Sequence, residues 1–313
     1  MDRTKAATMG RRSLLRSVGA AGVTAAALFA CTPAQTTSSP TARAGAGQPA
    51  VTAAAPRPGV VRLSSVVIPQ ESGLYAEILP EFERRSGLKV EVATATDVHG
   101  PARSGNADIV LSHYQHDGVA PFMQEGFGEW PRMVFSSPGV IVGPKADPAK
   151  IRGSSDAVEA FRLINGSGAP FVVNDTDGLR HVAEVIARSA GLSTSAGWYV
   201  DKGTRGPLAM QAAAQSGGYS MWGLVPFLRT QKQASLPLEP LMTRDQILKS
   251  VMVTIVVSDK KVAGVNAAGA TALQRYLIEP ETQARIRTFR MAGVTEQVWW
   301  PAAQDNDKAA FGK

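Results

Sequence analysis

Two stretches of this sequence carry residue types and spacings that could do chemistry. In 66-VVIPQESGLYAEILPEFERRSGLKVEV-92 a β-branched run breaks at Pro69, and the pair Ser72-Gly73 then opens an amphipathic helix. A strand that feeds a helix N-terminus in this way forms an anion cradle, because the first backbone N–H groups of a helix have no intrahelical partner. The alternative is a helix cap, a role worth about 1 kcal/mol that accounts for the serine by itself. In 113-HYQHD-117 the residues His113 and His116 are three apart, and Asp117 adds a carboxylate. A metal site needs at least three converging ligands, and His99 and His181 are distant in sequence. The motif is therefore assigned a structural role, and no metal or other cofactor is expected. No Gly-x-Ser-x-Gly elbow, phosphate loop or spaced carboxylate pair is present, which argues against an enzyme.

These stretches lie within an alternation of short β-branched runs and helical periods. Val60–Ile68 reads as a strand, and Leu74, Ile78 and Phe82 line one helical face, with a kink expected at Pro80. Leu88–Val92, 107-ADIVLSH-113 and 139-GVIVGP-144 read as further strands. A second block runs through helices at Ala157–Ile164, His181–Ala190 and Pro207–Ser216, with strands at 169–178 and Trp198–Val200, and closes with 219-YSMWGLVPFL-228. The β-branched run 251–259 and a helical segment, Ala267–Phe289, follow. This rhythm predicts an open α/β sheet with ligands at the carboxyl ends of its strands.

The ends of the chain differ from this body. Arg11-Arg12, an Ala-rich apolar stretch and Leu28-Phe29-Ala30-Cys31 read as an export signal, too short and too rich in small residues for a membrane span. The twin arginines resemble a twin-arginine signal and the last four residues a lipobox, so residues 1–30 are expected to be removed and Cys31 lipidated. The other reading is a simple cleaved signal. Cys31 is the only cysteine, which leaves the mature chain without a disulfide or a cysteine ligand. Residues 31–58 hold five prolines and neither an acid nor an aromatic, the composition of a disordered tether. The first 30 residues carry four of the seven net positive charges, so the body is nearly balanced and nucleic acid is not an expected partner.

Residues 60 to about 290 resemble the periplasmic solute-binding proteins of tungstate ABC transporters. The pieces that carry the resemblance are SGLYAEILPEFERRSGLKVEV (72–92), GNADIVLSH (105–113), EGFGEWPRMVF (125–135), GVIVGPKADPAKIRG (139–153), APFVVNDTDGLRH (169–181), GWYVDKG (197–203), GGYSM (217–221) and VNAAGATALQRYLIEPETQARI (265–286). The resemblance implies a type II-like periplasmic-binding-protein fold of two α/β lobes joined by two crossover strands. Lobe 1 would span 59–142 plus 245–313, and lobe 2 would span 143–244. It implies a monomer, tethered outside the cytoplasm through Cys31, that delivers a small anion to an inner-membrane ABC permease, with tungstate or molybdate as the anion. The ligand residues it points to are Ser64, Ser65, Ser72, Ser137, Asn174, Arg180, Thr204, Arg205 and Trp222.

The sequence departs from that pattern in three places. Val66-Val67 stands where the family has threonine and serine, Asn174 takes an arginine position, and Trp222 lies where the family has Asp-Arg-Gly. All three changes make the cleft less polar. An organic anion is therefore the first alternative ligand, and an accessory protein that binds a periplasmic partner or cofactor without transport is a second. Trp222 has two readings, stacking on a ligand or packing. Packing or a partner surface is the expectation for Trp299-Trp300, and a solvated surface position for Arg180 and Arg205.

Overall fold

The computed structural model describes residues 58–176 and 178–303; the export signal, Cys31 and almost all of the tether lie outside them. The chain begins with β1 (Val60–Ser65), the helical turn α1 (Ile68–Glu71), α2 (Leu74–Ser86), β2 (Lys89–Thr94), α3 (His99–Arg103), β3 (Ile109–His113), α4 (Val119–Gln124) and the long β4 (Arg132–Pro144). It continues with α5 (Ala157–Ser167), β5 (Phe171–Val172), α6 (Leu179–Ser189), β6 (Tyr199–Val200), α7 (Pro207–Gln215), β7 (Tyr219–Gly223), α8 (Leu224–Ala234) and β8 (Leu238–Met242). A 3-10 turn (Gln246–Leu248) leads into β9 (Lys249–Val256), α9 (Ala267–Ile278), α10 (Pro280–Thr288) and β10 (Trp300–Pro301).

The strands form one path in the order β2-β1-β3-β9-β4-β7-β5-β6, with β8 and β10 also paired to β4. β4 joins its two halves. Arg132 to Pro138 pairs with β9, and Gly139 to Val142 pairs with β7. At the change of partner, Pro138 offers no N–H to a ladder. A Cβ on Gly139 would lie 3.2 Å from the Leu248 carbonyl oxygen, so glycine is what lets the two chains pass. The sequence reading placed a strand only at 139–144; the structure extends it back to Arg132, through a proline and a glycine that look like breakers.

One core lies where α2, α9 and α10 cover the first half of the sheet. Leu74, Ile78 and Phe82 are buried in it against Leu63, Ile109, Ile255 and Leu277, the face expected from their spacing. Pro80 lies inside α2 on its exposed side, and the helix continues through it to Ser86. Arg62 of β1 and Asp108 just before β3 form a buried ion pair (2.5 Å) beneath this core. The backbone N–H of Asn266, the cap of α9, also donates to Asp108 (2.8 Å). In the other half, Phe161, Ile164, Phe171, Val173, Ile186, Tyr219 and Met221 form a second core on one face of β5 and β7. Val172 on the opposite face packs with Ala209, Met210, Leu224 and Val225 of α7 and α8, and that group is continuous with the first core.

Ser72 stands one residue before the N-cap of α2, and its hydroxyl accepts a long hydrogen bond (3.4 Å) from the N–H of Leu74, the first residue of that helix. Gly73 takes the N-cap position of α2 in the left-handed conformation (φ 84°), without a side-chain cap. The Ser72 hydroxyl donates to the Pro69 carbonyl (3.0 Å) and accepts from the Trp299 indole N–H (2.9 Å). Gly223 divides the run 219–228 into β7 and α8.

Candidate functional site

The carboxyl ends of β5, β6 and β7 lie side by side, because β5 pairs in parallel with both neighbours, Val172 opposite Val200 on one side and Ser220 on the other. A helix leaves each end. α6, α7 and α8 begin at Gly178, Gly206 and Gly223, and none of the three has a side-chain cap. Among the helices that start elsewhere, α5 and α9 are capped, Asp156 accepting from the Glu159 N–H and Asn266 from the Gly269 N–H, whereas α2 and α10 have no side-chain cap either. Backbone carbonyls take the first N–H groups of α6 and α7, Leu179 donating to Thr176 (3.0 Å) and Leu208 to Arg205 (3.2 Å); the three helix dipoles still place their positive ends at one edge of the sheet, which suits an anion.

Asn174, two residues beyond the end of β5, is buried at this edge. Its Oδ1 accepts from the Thr176 hydroxyl (2.7 Å) and from the Gly206 N–H (2.9 Å). Those two donors fix the orientation of the amide, and its Nδ2 is left buried with no hydrogen-bond partner. The Thr204 hydroxyl is likewise buried and unpartnered, while the Thr204 carbonyl accepts from the Asp175 N–H (2.9 Å). The Ser220 hydroxyl on β7 is a third such group. Gly206, two residues after Thr204, is bonded to Asn174, so the two open donors belong to neighbouring loops; an unsatisfied buried polar group costs about 1–3 kcal/mol, and an anion that accepted from them would remove that cost.

Trp222 forms the apolar wall of this site. It is half-buried, and its ring covers Gly206, where an added Cβ would lie 3.3 Å from Cζ2. The neighbouring arginines are engaged by the protein itself. Arg180 donates through Nε to Asp175 (2.7 Å) and through Nη2 to Asp201 (2.6 Å), and Glu184 is 3.8 Å away. Hydrogen bonds from the Gly203 N–H and from Arg180 hold the Asp201 carboxyl below its ordinary range. Arg205 donates through Nε to the Asp175 carbonyl.

The serines on the other side of the crossover direct their hydrogens inward. Ser64 donates to the Val98 carbonyl (2.8 Å), and Ser65 donates to the Val66 carbonyl (2.7 Å) and lies 2.6 Å from the Tyr75 hydroxyl. Ser137 is buried on β4 opposite Ser250 of β9, one residue before the point where β4 changes partner. An ion pair between Glu71 and Arg229 ties α1 to α8. The structure thus groups Asn174, Thr204, Arg205 and Trp222, and gives Ser64, Ser65 and Ser72 internal partners. Ser220 and α8 escaped the sequence reading, which placed the bodies of α6 and α7 at His181–Ala190 and Pro207–Ser216.

His113 shares its Nδ1 with the Ser250 hydroxyl (2.7 Å), and burial lowers its pKa to about 4. His99 lies 5.2 Å from the His116 ring, closer than their sequence separation suggested, and burial followed by the His116 charge lowers it to about 4 as well. Among the described residues, no three His, Cys, Asp or Glu side chains are placed to hold a metal ion. No described helix is long and apolar enough to cross a membrane.

No protein-family model matches the chain. A Haloferax volcanii protein named as an ABC transporter anion-binding protein is 31% identical over 258 residues, covering 80% of this chain and 74% of its own. The solved structure of the tungstate ABC transporter protein from Geobacter sulfurreducens aligns with a TM-score of 0.62 at 28% identity, over 74% of this chain and 98% of its own. The tungstate-binding protein TupA of Desulfovibrio alaskensis has the same fold, with a TM-score of 0.69 over 78% of this chain and 99% of its own, at 23% identity.

Proposed function

The chain belongs to the anion-binding proteins of ABC transporters, and from that premise we propose that it captures a small tetrahedral oxyanion of the tungstate or molybdate type at the carboxyl ends of β5–β7. As a solute-binding protein of this family it works outside the cytoplasm, serves an inner-membrane permease and is not an enzyme. The observation that carries the ligand reading is the pair of buried, unpartnered donors, Asn174 Nδ2 and Thr204 Oγ1, beside helices that begin without caps. A bound oxyanion would accept from both, and each hydrogen bond to a charged acceptor is worth about 1.5–3 kcal/mol.

Capture proceeds by closure of two lobes, 143–244 on one side and 59–142 with 245–313 on the other, about the two segments that cross between them. Ser137 lies at that hinge. Ser64, Ser65 and Ser72 shape the opposing wall, with their hydrogens committed to the protein. The Glu71–Arg229 pair is about one-third exposed on each side and adds at most about 1 kcal/mol to the closed arrangement. The protein acts as a monomer, exported by the twin-arginine route and held at the membrane by a lipid on Cys31.

Thermal unfolding with and without tungstate, molybdate and sulfate tests this reading. A bound anion at 100 times its Kd raises the stability of the native state by about 2.7 kcal/mol. The absence of a shift with any anion would refute it.

A further inference from the structure

We infer that Arg205 supplies the positive charge of this site and makes it prefer a tetrahedral dianion to a monoanion of the same size. The inference rests on the anion-binding reading above and assigns the residue that sets the charge of the ligand.

Both open donors, Asn174 Nδ2 and Thr204 Oγ1, are neutral groups. The cost of removing an ion from water grows as the square of its charge, so a dianion loses about four times the hydration of a monoanion of equal size. Its attraction to neutral dipoles grows only in proportion to charge, by about a factor of two. Capture of a dianion therefore calls for a fixed positive charge beside the two donors. Arg180 is engaged by acids, since it pairs with Asp175 and Asp201 and lies 3.8 Å from Glu184.

Arg205 follows Thr204 in the chain, and the two loops that carry the donors hold it in place. The Asp175 N–H donates to the Thr204 carbonyl (2.9 Å), the Gly206 N–H to Asn174 Oδ1 (2.9 Å), and Arg205 Nε to the Asp175 carbonyl. The last of these acceptors is neutral, so that bond orients the guanidinium without cancelling its charge. An arginine held in this way has already given up part of the rotamer freedom that anion binding would otherwise remove. Its place on the helix points to the same role. Arg205 directly precedes Gly206, the N-cap of α7, where the helix dipole is also positive and disfavours a cation. Arg180 meets the same conflict in the first turn of α6, and there the acids around it offset the dipole. An anion at the carboxyl ends of β5–β7 relieves the conflict at α7. The Trp222 indole over Gly206 shields that side of the site from water, which strengthens a charge–charge interaction.

Perrhenate and tungstate separate charge from shape, being tetrahedral ions of similar size that differ by one charge. The test is calorimetric titration of the full chain with each ion at one ionic strength, for the parent, Arg205→Gln and Arg205→Lys. The parent is expected to bind tungstate at least about tenfold more tightly than perrhenate. Attraction to a fixed charge is proportional to the charge of the ion, so the fold-loss for tungstate is the square of that for perrhenate. In Arg205→Gln a loss of about fivefold for perrhenate goes with about 25-fold for tungstate, and the preference shrinks accordingly. Arg205→Lys keeps the charge and is expected to keep the preference within about threefold. Tighter binding of perrhenate by the parent overturns the inference and leaves the oxyanion reading in place. The same holds for equal losses, or none, in Arg205→Gln, and for a preference lost as fully in Arg205→Lys. A parent that binds neither ion overturns both.

Discussion

Asn174→Asp tests binding through a single atom and should cost the anion far more than it costs the fold. Asn174 uses Oδ1 to accept from Thr176 and Gly206, and aspartate keeps an oxygen there for both donors. The change falls on Nδ2, which has no partner within the protein. Losing that hydrogen bond to an anion costs about 1.5–3 kcal/mol, or roughly 10- to 150-fold in affinity. Aspartate also brings a like charge to within roughly 4 Å of the ligand. At an effective dielectric constant of about 20 the repulsion is about 4 kcal/mol, and the combined loss exceeds about a thousandfold. Stability should fall by about 1–3 kcal/mol, since the two retained hydrogen bonds are to a charged acceptor but Oδ2 stays buried without a partner. Calorimetric titration reports the first quantity and urea unfolding the second. A folded variant that binds its anion within about threefold of the parent would refute the assignment of Nδ2 as a ligand donor.

Other consequences concern the scaffold. Asp108→Ala leaves the Arg62 guanidinium buried without its carboxylate and should cost about 3–5 kcal/mol in urea unfolding. Trp299→Ala empties a fully buried site beside Phe135 and removes the donor to Ser72, again at about 3–5 kcal/mol by the same measurement. His99 and His113 have folded pKa values of about 4, below the ordinary 6.5, so the unfolded chain binds more protons between those values. Stability is therefore full above pH 6.5 and falls as the pH drops toward 4, by up to about 3 kcal/mol for each histidine. The midpoint of urea unfolding between pH 7 and pH 4 measures the loss, and His113→Gln should flatten part of the slope.

Periodicity disclosed the parts of this fold in which local pattern and tertiary environment agree. The spacing of Leu74, Ile78 and Phe82 is helical, and all three are buried on one face. β4 was only partly visible because Pro138 and Gly139 read as breakers, whereas their task is to let one strand exchange β9 for β7. α8 was hidden by the glycine and proline in 223-GLVP-226, a run that serves as strand end and helix start. The residue types of the site were legible, but not their availability. Asn174 offers Nδ2 only because Gly206, 32 residues later, takes its Oδ1. Arg180 looks like an anion clamp until Asp175 and Asp201 are seen on either side of it. The meeting of His99 with His116 depends on how α3 packs near the loop after β3, which no spacing rule reports.

The most direct measurement is anomalous diffraction from crystals grown with tungstate and, separately, perrhenate. The account predicts a heavy-atom peak at the carboxyl ends of β5–β7, with an anion oxygen within about 3 Å of both Asn174 Nδ2 and Thr204 Oγ1. A peak elsewhere in the molecule, with those two donors still unpartnered, would contradict it.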